Sequence, residues 1–106
     1  MVIGIDDNAD ATSITIDNNE TVMDGKTVSD GALVGHELRP SSFAVHTVDG
    51  GAALYARRMT DDGDIMVLQG NGGTVGSIGT YSGDMTVGTG DTRVRFIDSL
   101  DCVVPV

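Results

Sequence analysis

Apolar residues along this chain recur at every second position far more often than at every third or fourth. Ile14 and Ile16 alternate with Ser13, Thr15 and Asp17, and Phe43, Val45 and Thr47 oppose Ala44, His46 and Val48. Ala52, Leu54 and Ala56 oppose Tyr55 and Arg57. Successive side chains of a strand point to opposite faces, so this period of two predicts strands. Arg93-Val94-Arg95-Phe96 predicts a strand with Val94 and Phe96 facing inward and the arginines outward. Ile65-Met66-Val67-Leu68 is unbroken, as expected of a strand buried on both faces. No window of a dozen residues keeps helical spacing without a Gly, Pro or Asp-Gly interruption.

The turns are as legible as the strands. Asp24-Gly25 lies between Thr21-Val22-Met23 and Lys26-Thr27-Val28, and predicts a two-residue hairpin, because a type I′ turn needs positive φ twice. Asp30-Gly31, Asp49-Gly50-Gly51, Asp62-Gly63, Gly70-Asn71-Gly72-Gly73, Ser82-Gly83-Asp84 and Gly88-Thr89-Gly90-Asp91 punctuate the rest. Strands are expected at 2–5, 12–17, 20–23, 26–29, 32–38, 43–48, 52–59, 64–69, 74–81, 85–87, 93–98 and 102–105, some of them merging. The expected fold class is all-β: a compact antiparallel β-sandwich or small barrel of about eight to ten short strands, without significant helix. With 106 residues the chain is read as a single β domain, 1–106, whose ends at 1–5 and 102–106 protrude or exchange strands.

Charge narrows the function classes. The formal net charge is −10, from 16 acids against 6 Lys+Arg. That excludes unaided binding to nucleic acid or to an anionic membrane, since both meet phosphate through cations. All the acids but Glu20 and Glu37 are Asp, and Lys26 is the only lysine beside Arg39, Arg57, Arg58, Arg93 and Arg95. Short carboxylates hold water and cations close to the backbone, whereas lysine stems add apolar surface that concentrated salt makes adhesive. At about 1 M salt the Debye length falls to roughly 3 Å, and the self-repulsion of such a surface largely disappears. The composition resembles that of haloarchaeal proteins, which work in very salty water; an ordinary acidic β domain is the other reading.

The solitary Cys102, in the apolar stretch Cys102-Val103-Val104-Pro105-Val106, excludes an internal disulfide framework and reads as a small packed hydrophobe. No apolar run is long enough for a membrane helix, and no basic region precedes an apolar one at the N-terminus. Synthesis and folding in the cytoplasm are therefore expected.

Candidate chemistry is sparse. Asp6, Asn8 and Asp10 occupy alternate positions, with Asp17 eleven residues after Asp6, which partly matches a calcium loop. Ala11 stands where that loop needs glycine, and Asp17 stands where it needs a bidentate Glu. Calcium or another surface cation and a solvated Asp-rich loop are the two readings. Asp61-Asp62-Gly63-Asp64 reads as a turn. His36 and His46 fall on neighbouring strands, but two histidines without a third placed ligand make a poor zinc site. Gly70–Gly76 lacks the Gly-Lys-Ser/Thr ending of a phosphate loop, and no nucleophile motif surrounds Ser41 or Ser42. No catalytic residue is assigned, no cofactor is expected, and the chain is read as not an enzyme.

The exceptions to the acidity are the better candidates. Arg57, Arg58, Arg93 and Arg95 concentrate the positive charge, and arginine grips carboxylates bidentately, within the chain or on a neighbouring copy. Val2, Ile3, Ile5, Val103 and Val104 make both ends apolar and β-prone, able to finish the domain's own sheet or to pair with another copy. Subunit or partner contacts are expected at these nine residues.

A compact β scaffold without an active-site constellation, with adhesive ends and this surface chemistry, resembles the small all-β virion proteins of haloarchaeal tailed viruses: capsid decoration (cement), turret or tail components. The resemblance is one of overall character and carries no motif. It implies a non-enzymatic structural protein of the virion, made in the host cytoplasm. Its partners would be other copies of itself, as trimer, pentamer or hexamer, and the major capsid or tail proteins. The alternative is a halophilic ligand-binding module of cellular origin for calcium or carbohydrate. Sugar recognition has only Tyr55 and Tyr81 to offer as aromatic platforms.

Overall fold

A computed structural model describes residues 13–106, and the fold is all-β. Two compact units divide the chain between Tyr55 and Ala56. In the first, β1 (Ile14–Ile16), β2 (Val22–Asp24), β3 (Gly35–Leu38) and β4 (Ala44–Thr47) form an antiparallel sheet in sequence order. In the second, β5 (Gly63–Gly70), β6 (Gly73–Tyr81), β7 (Asp84–Thr89), β8 (Thr92–Ile97) and β9 (Cys102–Pro105) form a five-stranded antiparallel meander. A 3-10 turn, Asp98–Leu100, joins β8 to β9. Neither sheet closes into a barrel: β1 and β4 are edges of one, β5 and β9 of the other.

The predicted strands from residue 64 onward are all present, because each hairpin has the turn residues it needs. Ser82 and Gly83 both take positive φ (50° and 84°) between the paired Tyr81 and Asp84, as a type I′ turn requires. Gly90 has φ 53° at the first central position between Thr89 and Thr92, the demand of a type II′ turn.

Upstream the structure departs from expectation. Gly25 has the positive φ of a turn residue (79°), yet no hairpin follows and 26–29 is not a strand. β2 pairs instead with β3, and the intervening loop folds over the sheet. The cause is Glu37, fully buried on β3, which draws its hydrogen-bond donors from that loop. Residues 52–59 form no strand either, and every one of them is exposed.

The expected burial is reversed as well. Val94 and Phe96 are exposed, while Arg93 and Arg95 are the more covered residues of β8. Met66, Val67 and Leu68, expected to be buried on both sides, are exposed. Among the described residues Met23 is the only buried large hydrophobic side chain.

Register explains the reversal. Residues directly opposite one another share a face. One face of the meander carries Asp64, Ser77, Gly79, Asp84, Thr86, Gly88, Arg93 and Arg95. Arg93 on β8 nevertheless reaches the carboxylate of Asp64 on β5, with Nη2 3.5 Å from Oδ1. Strands lie about 4.8 Å apart, so three spacings in a flat sheet would separate these strands by about 14 Å. The sheet therefore coils toward its polar face. Gly88 makes room for this, since a Cβ there would stand 2.7 Å from Cγ of the Arg93 stem. The opposite, convex face carries most of the apolar side chains, while Val67, Tyr81 and Val104 stand on the polar face.

Candidate functional site

In the first unit the row Thr15, Met23, Glu37, Val45 forms one face of the sheet, and the loop between β2 and β3 covers it. Glu37 accepts four charged or polar contacts there. Lys26 Nζ lies 2.7 Å from Oε1, Arg39 Nε 2.7 Å from Oε2, the Asp30 amide 2.7 Å from Oε1 and Ser29 Oγ 3.1 Å from Oε2. Lys26 also donates to the carbonyls of Asp30 (2.7 Å) and Leu33 (3.4 Å), so its three N–H bonds each have an acceptor. The Lys26 stem lies against Gly35, where φ is 137° and a Cβ would meet Lys26 Cγ at 2.9 Å. The ammonium of Lys26 is the main cause that lowers the Glu37 carboxyl from 4.5 to about 2, with Arg39, the Asp30 amide and Ser29 adding to it against the cost of burial. Arg39 in turn stacks 4.7 Å over the ring of Phe43.

The second unit uses the same device on its concave face. Asp84 accepts from Arg95 Nε (3.0 Å) and Nη2 (2.7 Å), and that guanidinium lies 5.2 Å over the Tyr81 ring. Asp64 accepts from Ser77 Oγ at 2.8 Å, on the side where Arg93 approaches. Asp62 accepts from the Ser82 amide at 2.7 Å, and this contact is the first cause that lowers its pKa below the ordinary carboxylate value. The more sheltered Arg95–Asp84 pair is screened less by salt than an exposed one.

Each unit also exposes a face rich in apolar side chains. On the convex face of the meander stand Met66, Leu68, Ile78, Met85, Val87, Val94, Phe96 and Val103, with no charged residue among their face neighbours. Seven of these, all but Ile78, are 37–55% exposed. They offer on the order of 600 Å² of apolar surface, at the top of the range for a monomer and near the roughly 800 Å² each partner gives to a standard interface. On the first sheet the exposed face carries Ile14, Ile16, Val22 and Leu38, together with Asp24, His36 and His46.

Of the residues proposed from sequence, Asp6, Asn8 and Asp10, with Val2, Ile3 and Ile5, lie outside the described residues. Asp17 serves the turn after β1: its Oδ1 accepts from the amides of Asn19 (2.8 Å) and Thr21 (3.0 Å). Arg58, Arg93 and Arg95 bind carboxylates of their own unit, Asp61, Asp64 and Asp84 respectively. Arg57 is exposed and makes no ion pair among the described residues. Val103 and Val104 finish the meander in β9, Val103 on the exposed apolar face and Val104 half-buried on the other. Cys102 is half-buried at the start of the same strand. His36 and His46, which sequence could place only on neighbouring strands, are direct partners with Nδ1 atoms 2.9 Å apart. The buried Glu37 was not singled out by sequence, though the lone lysine eleven residues before it was the available signal.

No family model matches the chain, and neither a curated protein nor a solved structure matches it. The functional reading therefore rests on the geometry of these faces.

Proposed function

We propose that this chain is a non-enzymatic structural protein that assembles with copies of itself, in the role of a capsid decoration or tail component of a haloarchaeal tailed virus. The observation that carries the self-association is the uncharged convex face of the meander, with its seven exposed apolar side chains. A five-stranded unit without a single buried large hydrophobic side chain lacks the core that a domain of about 50 residues needs, so its apolar face calls for a covering layer. A second copy suits that face. Two chains of charge −10 repel wherever carboxylates meet, and this is a surface on which neither brings a charge. The acidic, lysine-poor composition supports the hypersaline setting.

The test is the mass of the full chain in multi-molar KCl, by sedimentation and light scattering, for the natural sequence and for Val94→Asp and Phe96→Asp. Closed oligomers that dissociate in both variants are the expected result. A natural chain that stays monomeric at all concentrations would overturn the reading. The virion assignment has its own test, which is whether the assembled protein joins purified capsids or tails.

A further inference from the structure

The geometry points to a divalent transition-metal site on the exposed face of the four-stranded sheet, with His36 and His46 as ligands through Nδ1 and Asp24 as the third. This site does not depend on self-association. Asp24, His36 and His46 stand in one cross-strand row on β2, β3 and β4, since Asp24 pairs with His36 and His36 with His46. Val22 and Leu38 flank the row, and a cavity of about 230 Å³ opens over it. Both imidazoles are half-buried, with ring centroids 5.0 Å apart and planes inclined at 52°.

At 2.9 Å the two Nδ1 atoms share one hydrogen bond, so one ring brings a proton and the other a lone pair. A tetrahedral ion bound at about 2.0–2.1 Å by both nitrogens holds them about 3.3 Å apart. The rings thus need to separate by only a few tenths of an ångström and to turn about χ2, a broad torsion in histidine. The metal then takes the place of the shared proton, which passes through solvent to Nε2 of the donor ring, and both Nδ1 lone pairs face the ion. Among the described residues no three His, Cys, Asp or Glu side chains converge in the present rotamers. Asp24 joins by changing rotamer within the cavity, and water completes the shell. The anionic chain raises the local concentration of divalent cations, and imidazole with carboxylate selects zinc or nickel over calcium.

The experiment titrates zinc sulfate into the isotope-labelled full chain in concentrated sodium sulfate, following the ring nitrogens by NMR and the affinity by calorimetry. One equivalent of zinc shifts Nδ1 of His36 and His46 together and leaves both rings protonated at Nε2. His36→Ala and His46→Ala each weaken binding by at least about tenfold, and Asp24→Asn weakens it by several-fold. His46→Gln provides a second variant that keeps a hydrogen-bonding side chain in the row, and circular dichroism checks that each variant is folded. Unaltered zinc affinity in a folded His46→Gln or His36→Ala variant would place the metal on the Asp-rich turns and overturn the assignment. So would zinc that shifts Nε2 instead, or no binding at all. Unchanged affinity in Asp24→Asn would remove Asp24 as the third ligand.

Discussion

Replacing Glu37 with Gln tests the ionic centre of the first unit. The substitution keeps the side chain's shape and removes its charge, leaving the Lys26 ammonium buried with carbonyl and amide oxygens only. The carboxyl titrates near 2 in the folded chain and near 4.5 in the unfolded one. A folded pKa below the unfolded value means that the ionised group contributes stability that is complete above pH 4.5 and lost as pH falls toward 2. At about pH 3.2 the unfolded form carries ~0.95 proton on this group and the folded form ~0.05, so unfolding takes up about 0.9 proton there. The assay is urea unfolding of both proteins at several pH values between 2 and 6 in constant concentrated salt. Asp62, whose pKa is also lowered, titrates in both proteins and cancels in the difference. The natural protein should be the more stable at pH 6, with the gap closing as pH drops through that window. A direct carbon-13 titration of the Glu37 carboxyl should show a midpoint near 2. Parallel stability curves, or a midpoint near 4.5, would refute the ion cluster as described.

Other substitutions and conditions probe the remaining claims. Gly35→Ala puts a Cβ against the Asp24 carbonyl and the Lys26 stem at φ 137°, and should cost about 1–3 kcal/mol in thermal unfolding. Asp84→Asn weakens the two-pronged contact from Arg95 and should cost about 1 kcal/mol, which unfolding curves at fixed salt would register. Dialysis from about 3 M salt into dilute buffer should reduce the β signal in circular dichroism, because the −10 charge is then unscreened. Full retention of that signal would count against the hypersaline reading.

The strand content of this fold was open to sequence reasoning in one half and obscured in the other, for local reasons. From Asp64 onward each hairpin is closed by its own turn residues, and nearest-neighbour pairing follows directly from the order of the strands. The segment from Thr21 to Leu38 depends on a non-local demand, the need of a buried carboxylate for Lys26 and the Asp30 amide, and this overrides the Asp24-Gly25 hairpin signal. Alternation in Arg93-Val94-Arg95-Phe96 correctly separated two faces. The expectation that Val94 and Phe96 face inward was reversed, because which face is sheltered depends on the direction in which the sheet coils and on Asp64, three strands away. The meeting of His36 with His46 follows from β3–β4 register, which neither histidine's neighbours in sequence specify.

The placement of Met23 as the only buried large hydrophobic side chain among the described residues has a consequence for how the protein behaves on dilution. If its apolar faces are covered by neighbouring copies, folding and assembly draw on the same free energy, and the melting temperature rises with protein concentration. A chain released from such an assembly then loses the cover over those faces, and becomes prey to proteases or to mispairing at its sheet edges. Crowded onto a repeating lattice, where every copy has neighbours at hand, the same sequence would outlast its isolated form.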